Sequence, residues 1–469
     1  MSQRFCETIF LPDERATTDL GIALAPVFTK GDILLLNGPV GAGKSHLARA
    51  IIQARLGYPE DVPSPTYTLV QTYFDQKYEI FHADLYRLSD TSELTELGLD
   101  DAFQNAICLV EWAERLGPES APKDALTVTL ETKEDGRFAV LSADASRWEK
   151  VARPIEKTRF LIEAGWSGAQ TTNVAGDLSS RTYQRLRQGE QSVIYMDAGD
   201  DTASTSKFLK MSSWLDENGY SAPQAIAQKP GKGLILLSDF GDQRLSTLPD
   251  VMQKMTLCLS LLADMRTKEP PDLPCPTAIE LAEMTMLAKH YPGAETEAIE
   301  TFRGELQARI EMVNENTNPS VSLRDFHTDN IMWLGEKEGI NRLGLLDYQD
   351  AFLVHPVYDL VSLLTDARRA VSTQDRQDLI VQYAKMTGDD LEDLQRAFAV
   401  FSVQRNLRIL GIFSKAALDD GKTHHVQNIP RVYGYLVEAL EHPVFEGVSD
   451  ELFAALPLPE KALLEQLAA

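Results

Sequence analysis

The first third of the chain shows short apolar runs at regular intervals. Residues 31–37 (GDILLLN) form an apolar segment of strand length, and an amphipathic run at 46–56 has helical spacing; further strand-length segments lie at 79–83, 107–110 and 126–130. Strands alternating with helical pattern predict an α/β domain on a largely parallel sheet. A polar, charged stretch at 144–157 interrupts the pattern, and we place a domain boundary near residue 152, the first domain covering 1–152. Beyond it, a helical pattern at 156–164 leads into short strands at 192–196 and 234–237, and after Leu248 the periodicity is mostly helical. That order predicts a second, α+β domain over 156–469, with a small mixed lobe followed by a larger helical one.

Length and charge narrow the reading. At 469 residues the chain exceeds what one ordinary core serves, and 43% hydrophobic with 25% charged residues is normal globular material. It carries 45 basic and 70 acidic residues, a net charge of -25. Residues 1–150 hold 14 basic and 24 acidic residues, so -10 sits there and -15 in the remainder; neither part is basic. Such a chain repels a polyanion, which argues against direct nucleic-acid binding. No apolar run approaches the roughly 18 to 20 residues that span a bilayer, and the amino terminus has no secretory pattern. A cytoplasmic location away from membranes is expected. The four cysteines, at 6, 108, 258 and 275, lack the spacing of a zinc site or redox dithiol and are expected to be reduced and structural.

The segment Gly38-Pro-Val-Gly-Ala-Gly-Lys-Ser45 fits a phosphate-binding loop, and it stands between an apolar strand and a helix, as that loop requires. Gly38, Gly41, Ala42 and Gly43 would turn backbone N–H groups toward phosphates. Lys44 would reach the β and γ oxygens of ATP, and the Ser45 hydroxyl would ligate Mg2+. Hydrolysis also needs carboxylates at strand ends. Asp84 and Glu111 stand at such positions, where a loop acid or helix cap would also be found, and Thr66 is a candidate switch hydroxyl.

Around this loop, Pro63-Ser-Pro-Thr-Tyr-Thr-Leu-Val70, His82-Ala-Asp-Leu-Tyr-Arg-Leu88, Leu97-Gly-Leu99 and Val110-Glu-Trp112 occur in the order of the TsaE family, the ATPases of bacterial tRNA threonylcarbamoyladenosine modification. The resemblance covers nearly all of residues 1–150. It implies that Lys44 and Ser45 hold phosphates and metal, that Thr66 and Asp84 contribute to the magnesium environment, and that Glu111 is the acid needed for hydrolysis, with Trp112 shaping the site. It also implies TsaB and TsaD proteins as partners.

A second motif, Arg324-Asp-Phe-His-Thr-Asp-Asn330, sets an Asp and an Asn five positions apart, the spacing of a kinase catalytic loop. Residues 331–334 and Leu343-Gly-Leu-Leu-Asp347 then predict a hairpin that returns Asp347 beside Asn330. Asp359 precedes a helical run and is expected to cap it. Together with Asp177-Leu-Ser-Ser-Arg-Thr-Tyr183 and Ser238-Asp-Phe-Gly-Asp242, these segments resemble the aminoglycoside phosphotransferase and choline kinase superfamily, and most closely its sugar kinases for N-acetylmuramate and N-acetylglucosamine. That resemblance implies a protein-kinase-like bilobal fold, Asp325 as catalytic base, Asn330 and Asp347 as magnesium ligands, Ser179, Ser180 and Arg181 as the nucleotide loop, and 238–242 as the hinge near adenine. The sequence departs from the family pattern twice. Leu323 replaces the usual His two residues before the Asp, and the strand at 193–196 carries no Lys, which leaves Arg181 or Arg185 as the phosphate anchor.

The sequence therefore predicts an α/β P-loop domain followed by an α+β protein-kinase-like domain, both using ATP and Mg2+. The first would be a tRNA-modification ATPase. The second would phosphorylate a small molecule, an amino sugar first among the candidates. The alternative organisation keeps the ATPase and makes the second domain a catalytically silent sensor.

Overall fold

The computed structural model describes residues 4–58, 60–88, 94, 97–174 and 181–468. The chain divides into two compact units, Met1–Asp197 with Ala227–Leu236, and Ala198–Ile226 with Leu237–Ala469.

The first unit is built around a seven-stranded sheet. Its strands are β1 (Arg4–Leu11), β2 (Ile33–Asn37), β3 (Val70–Phe74), β4 (Glu79–Asp84), β5 (Ile107–Glu111), β6 (Leu126–Lys133) and β7 (Gly136–Asp144), in the order β1-β7-β6-β2-β5-β4-β3. The central four pair in parallel and the outer strands antiparallel. Ile33, Leu34, Leu35 and Leu36 are all buried, as expected of a parallel strand covered on both faces. Helices α1 (Glu14–Leu24) and α2 (Lys44–Leu56) cover one face, and Leu20, Leu47 and Ile51 share a core with Leu34 and Leu36.

The polar stretch read as a boundary is helical and packed. Trp148 and Val151 are fully buried, and helix α3 (Ala152–Glu163) starts earlier than its periodicity suggests. Its Ile155 joins the core of the seven-stranded sheet. Phe160 and Leu161 join a separate core with Trp166, Leu186 and Leu234. That second core lies against a five-stranded sheet of β8 (Gln170–Val174), β9 (Thr182–Gln188), β10 (Gln191–Asp197), β11 (Ala225–Lys229) and β12 (Leu234–Ser238), ordered β11-β12-β10-β9-β8. One helix thus serves two cores. Arg159 of α3 bonds Glu7 at 3.0 Å and the Thr8 carbonyl at 3.1 Å, while Asp19 of α1 accepts from Ser167 Oγ and Gly168 N, both at 2.8 Å. Ile155→Ala is expected to destabilise the first unit by about 2 to 5 kcal/mol, checked by denaturant unfolding. A fragment ending at residue 150 should melt below one ending at 168.

In the second unit, helix α4 (Thr202–Glu217) is followed by a largely helical body that includes α5 (Val251–Met265), α6 (Thr296–Asn314), α7 (Tyr358–Leu364), α8 (Thr373–Thr387) and α9 (Leu391–Asp420). Two short antiparallel ladders bracket the segment 324–330: β13 (Ser320–Ser322) with β16 (Phe352–Val354), and β14 (Ile331–Trp333) with β15 (Leu343–Leu345). Helix α9 spans 30 residues and is buried on most sides between Leu394 and Ala417. The observed fold is an α/β domain followed by an α+β domain in which a small sheet leads into a mostly helical body. Among the described residues no helix is long and apolar enough to cross a membrane. All four cysteines are free; Cys108 and Cys258 pack in cores, but Cys6 and Cys275 are exposed, so a packing role belongs only to the first pair.

Candidate active sites

The first site is a cleft of about 390 Å³ where β2, β4 and β5 end. The loop before α2 holds Gly38, Gly41 and Gly43 at φ of 133°, 78° and 104°, a region that penalises residues with a Cβ. A Cβ on Gly38 would lie 2.4 Å from the Leu130 carbonyl oxygen, so the close approach itself requires glycine. Ala42 is buried beneath the loop. Lys44 Nζ donates to the Gly38 and Pro39 carbonyls at 2.7 and 2.9 Å and lies 3.6 Å from the centre of the Trp112 ring. Burial pulls the Lys44 ammonium below its usual pKa, and Glu111, Glu114 and Asp84 oppose that shift.

Parallel register pairs Asp84 with Glu111 across β4 and β5, which fixes both carboxylates at the edge of the cleft. Each ends its strand instead of following it. Ser45 Oγ donates to Glu111 Oε2 at 2.7 Å, and the buried His82 donates from Nε2 to Oε1 at 2.9 Å. Thr66 and Ser64 hydroxyls donate to Asp84 Oδ2 at 2.6 and 2.9 Å, while the Tyr86 N–H reaches Oδ1 at 3.0 Å. Lys44, Ser45, Thr66, Asp84 and Glu111 are therefore gathered in one place. The donor set is all oxygen, which suits Mg2+, and the glycine cradle leaves room for phosphate oxygens. Sequence reasoning missed His82 as the second support of Glu111. Its only signal was a position two residues before Asp84, on the same face of β4.

Asp325, Asn330 and Asp347 of the second site lie in the second unit. Asp325 follows Arg324, whose φ of 70° turns the chain sharply. Arg405 of α9 donates from Nη2 to Asp325 Oδ1 at 3.0 Å and from Nη1 to the Arg324 carbonyl at 2.6 Å. Asn330 Nδ2 donates to the Asp325 backbone carbonyl at 3.0 Å. The predicted hairpin is present: Ile331 pairs with Leu345, and Leu346 N–H reaches the Asn330 carbonyl at 2.9 Å. Asp347 then takes φ of 57°, with Gln349 donating to its Oδ1 at 2.8 Å. The oxygens of Asn330 and Asp347 suit magnesium carried on a nucleotide, an ion that takes only one or two protein ligands. Among the described residues no three His, Cys, Asp or Glu side chains form a cage for a metal alone.

Burial would raise the Asp325 pKa, but Arg405, Arg408, His327 and Arg324 outweigh it and bring the carboxyl down to about 2. Asp325 is thus ionised at any working pH. Acidification toward pH 4 is expected to leave the Asp325 carboxylate ionised, so any acidic limb in a pH–rate profile above that value belongs to another group. Asp359 does not cap the helix that follows. Val357, not Asp359, precedes the first turn of α7, and the buried Asp359 carboxylate instead accepts from Ser322 Oγ and Leu323 N–H, both at 2.7 Å. It anchors the loop that carries Asp325. Burial raises its pKa to about 6 despite those two donors.

Arg181 immediately precedes β9, and Arg185 lies on β9 and is nearly buried. Ser179 and Ser180 lie outside the described residues. Residues 239–242 follow β12, with Gly241 N–H on Asp239 Oδ1 at 2.9 Å. Arg405 and Arg408 were missed by sequence reasoning, since they lie some eighty residues beyond the motif.

Residues 11–139 match the family of the threonylcarbamoyl adenosine biosynthesis protein TsaE. The TsaE protein of Haemophilus influenzae is 37% identical over 145 residues, 30% of this chain and 90% of that protein. Through its first domain, the chain belongs to the TsaE family. Residues 170–396, behind the TsaE domain, match the phosphotransferase enzyme family. An N-acetylmuramate/N-acetylglucosamine kinase of Caulobacter vibrioides is 29% identical over 338 residues, 61% of this chain and 91% of that protein. A second protein of that name, from Pseudomonas aeruginosa, is 27% identical over 348 residues, 69% of this chain and 98% of the relative. The chain is a TsaE domain fused to a sugar-kinase-like phosphotransferase domain, and both families use ATP.

Proposed function

We propose that this protein carries two ATP-dependent activities. The TsaE domain, 1–152, hydrolyses ATP in tRNA threonylcarbamoyladenosine modification, acting with TsaB and TsaD proteins. The domain over 156–469 transfers the γ-phosphoryl group of ATP to the anomeric hydroxyl of N-acetylmuramate or N-acetylglucosamine. Lys44 and Ser45 hold phosphates and metal in the first site, Thr66 and Asp84 support the metal, and Glu111 orients water. In the second, Asn330 and Asp347 hold magnesium and Asp325 accepts the hydroxyl proton as its oxygen attacks phosphorus and ADP leaves.

The observation that carries the active reading of the second domain is the Asp325 carboxylate itself. It is ionised, gripped by Arg405 and tied through its backbone to Asn330, the arrangement a base beside a magnesium nucleotide needs. A silent sensor has no use for a base held this way. The test is sugar phosphate formation from ATP by the full-length chain carrying Lys44→Ala, so that hydrolysis at the first site does not consume the nucleotide. Product from either sugar supports the kinase; none from these sugars or from aminoglycosides favours the sensor. For the TsaE domain, Lys44→Ala should remove ATP turnover that TsaB and TsaD proteins stimulate.

A further inference from the structure

The cations around Asp325 outnumber its acid. Arg324, Arg405 and Arg408 all act on this one carboxylate, in a chain whose net charge is -25. Only Arg405 is accounted for by its bonds. Arg408 lies three residues further along α9, one turn on and on the same side, and is 8% exposed. Among the described residues its side chain makes no hydrogen bond or ion pair. The side chain of Arg324 makes none either; only its backbone is held, the N–H by Ser322 Oγ at 3.0 Å and the carbonyl by Arg405. The nearby acid that could have neutralised them, Asp359, is buried and turned toward Ser322 and Leu323.

A largely buried guanidinium whose anion is a carboxylate shared with two other arginines is under-neutralised, and such groups are found where a ligand supplies the missing charge. The fork of Arg suits a carboxylate. Position decides which ligand is meant. Magnesium and its nucleotide belong to Asn330 and Asp347 on the β14–β15 hairpin, whereas Arg408 and Arg324 surround the carboxylate to which the acceptor hydroxyl must come. We propose that Arg408, with Arg324, forms an anion site beside Asp325 that binds the carboxylate of an acidic sugar acceptor. Burial and the neighbouring Arg324 and Arg405 disfavour the Arg408 cation more than Tyr358 and Asp325 support it, so a bound carboxylate would add charge where it is short. This rests on the sugar-kinase reading and deepens it: the site selects N-acetylmuramate, which carries a carboxylate, over N-acetylglucosamine, which does not, and repels cationic aminoglycosides.

The experiment measures sugar phosphate formation by the full-length chain with both sugars, comparing the parent with Arg408→Met and Arg408→Lys. Met keeps the apolar stem and removes the charge; Lys keeps the charge. The ratio of kcat/KM for N-acetylmuramate to that for N-acetylglucosamine should fall roughly 10- to 100-fold in Arg408→Met, the effect of losing one charge-assisted contact, and should recover in part in Arg408→Lys. The KM for ATP reports the alternative source of an oxyanion. If both sugars lose efficiency equally and the KM for ATP rises, Arg408 serves the γ-phosphate and the proposal fails. An unchanged ratio overturns it as well. Should Arg408→Met not fold, the ratio in Arg408→Lys and Arg324→Met decides. A parent that phosphorylates neither sugar overturns the kinase reading and this site with it, whereas a parent active on both with a ratio indifferent to Arg408 overturns this site alone.

Discussion

Asp325→Asn is expected to slow phosphoryl transfer to the sugar by roughly two to four orders of magnitude, with the affinity for Mg-ATP changed by less than about threefold. Asparagine keeps the size of the side chain and can still accept a bond from Arg405 Nη2, which lies 3.0 Å from Oδ1. It cannot take a proton. Asp347→Ala should behave in the opposite way, weakening Mg-ATP binding because it removes a metal ligand and not the base. The contrast is measured by single-turnover transfer and nucleotide titration in a Lys44→Ala background. Asp325→Asn transferring as fast as its parent would show that the loop only binds.

The pKa of Asp325 also bears on stability. Its folded value, about 2, lies below the ordinary 3.8, so the folded state favours the carboxylate. That contribution is present above pH 4 and is lost as pH falls from about 4 to 2. Asp359 works the other way. Raised to about 6, it binds its proton more tightly when folded, so its contribution is present below pH 4 and is lost as pH rises from about 4 to 6. The acid on the loop and the acid that anchors it therefore have opposite linkage. Asp359 meets that loss at neutral pH by accepting two donors that would otherwise be left buried and unpaired.

The contrast between these two acids shows where sequence reasoning reached and where it stopped. The phosphate loop and the catalytic loop were legible because each packs its chemistry into a few consecutive residues whose spacing is set by the backbone. The hairpin from Asn330 to Asp347 was legible for the same reason. Asp359 was read as a cap because its local position resembles one, and only the fold carries its carboxylate to Ser322, 37 residues away. Strands β1 and β7 went unseen because they are antiparallel additions to a parallel sheet, and residue types mask their alternation: in β1, Arg-Phe-Cys-Glu-Thr-Ile-Phe-Leu, Glu7 stands on the side that buries Ile9 and Leu11 while Phe10 stands on the exposed side. Arg405 and Arg408 were hidden by burial. A helix buried on nearly every side has no polar face against which a functional cation stands out. His82 depended on strand register, since nothing in its own segment says that Glu111 lies on the neighbouring strand.

That register carries the second large expectation, at the first site. Glu111→Gln should reduce ATP turnover by the TsaE domain at least 100-fold while nucleotide affinity stays within about threefold, because an acid that orients water is needed in the reaction and not in binding. Lys44→Ala should instead lose affinity, since it removes the cation fixed by the loop. The geometry makes Gln a demanding replacement. Both oxygens of Glu111 accept, one from Ser45 Oγ and one from His82 Nε2, and an amide offers only one acceptor. One of those donors must then turn away, which separates the carboxylate's two supports. His82→Ala tests the support alone: it leaves the acid in place but unanchored, and should lower kcat roughly tenfold with little change in KM, the pattern of a positioning residue. Turnover is followed without sugar and with the Asp325→Asn substitution present, so that the second site contributes little. Equal loss of nucleotide affinity in Glu111→Gln and Lys44→Ala would remove Glu111 from the hydrolytic step and leave it as a structural partner of Ser45.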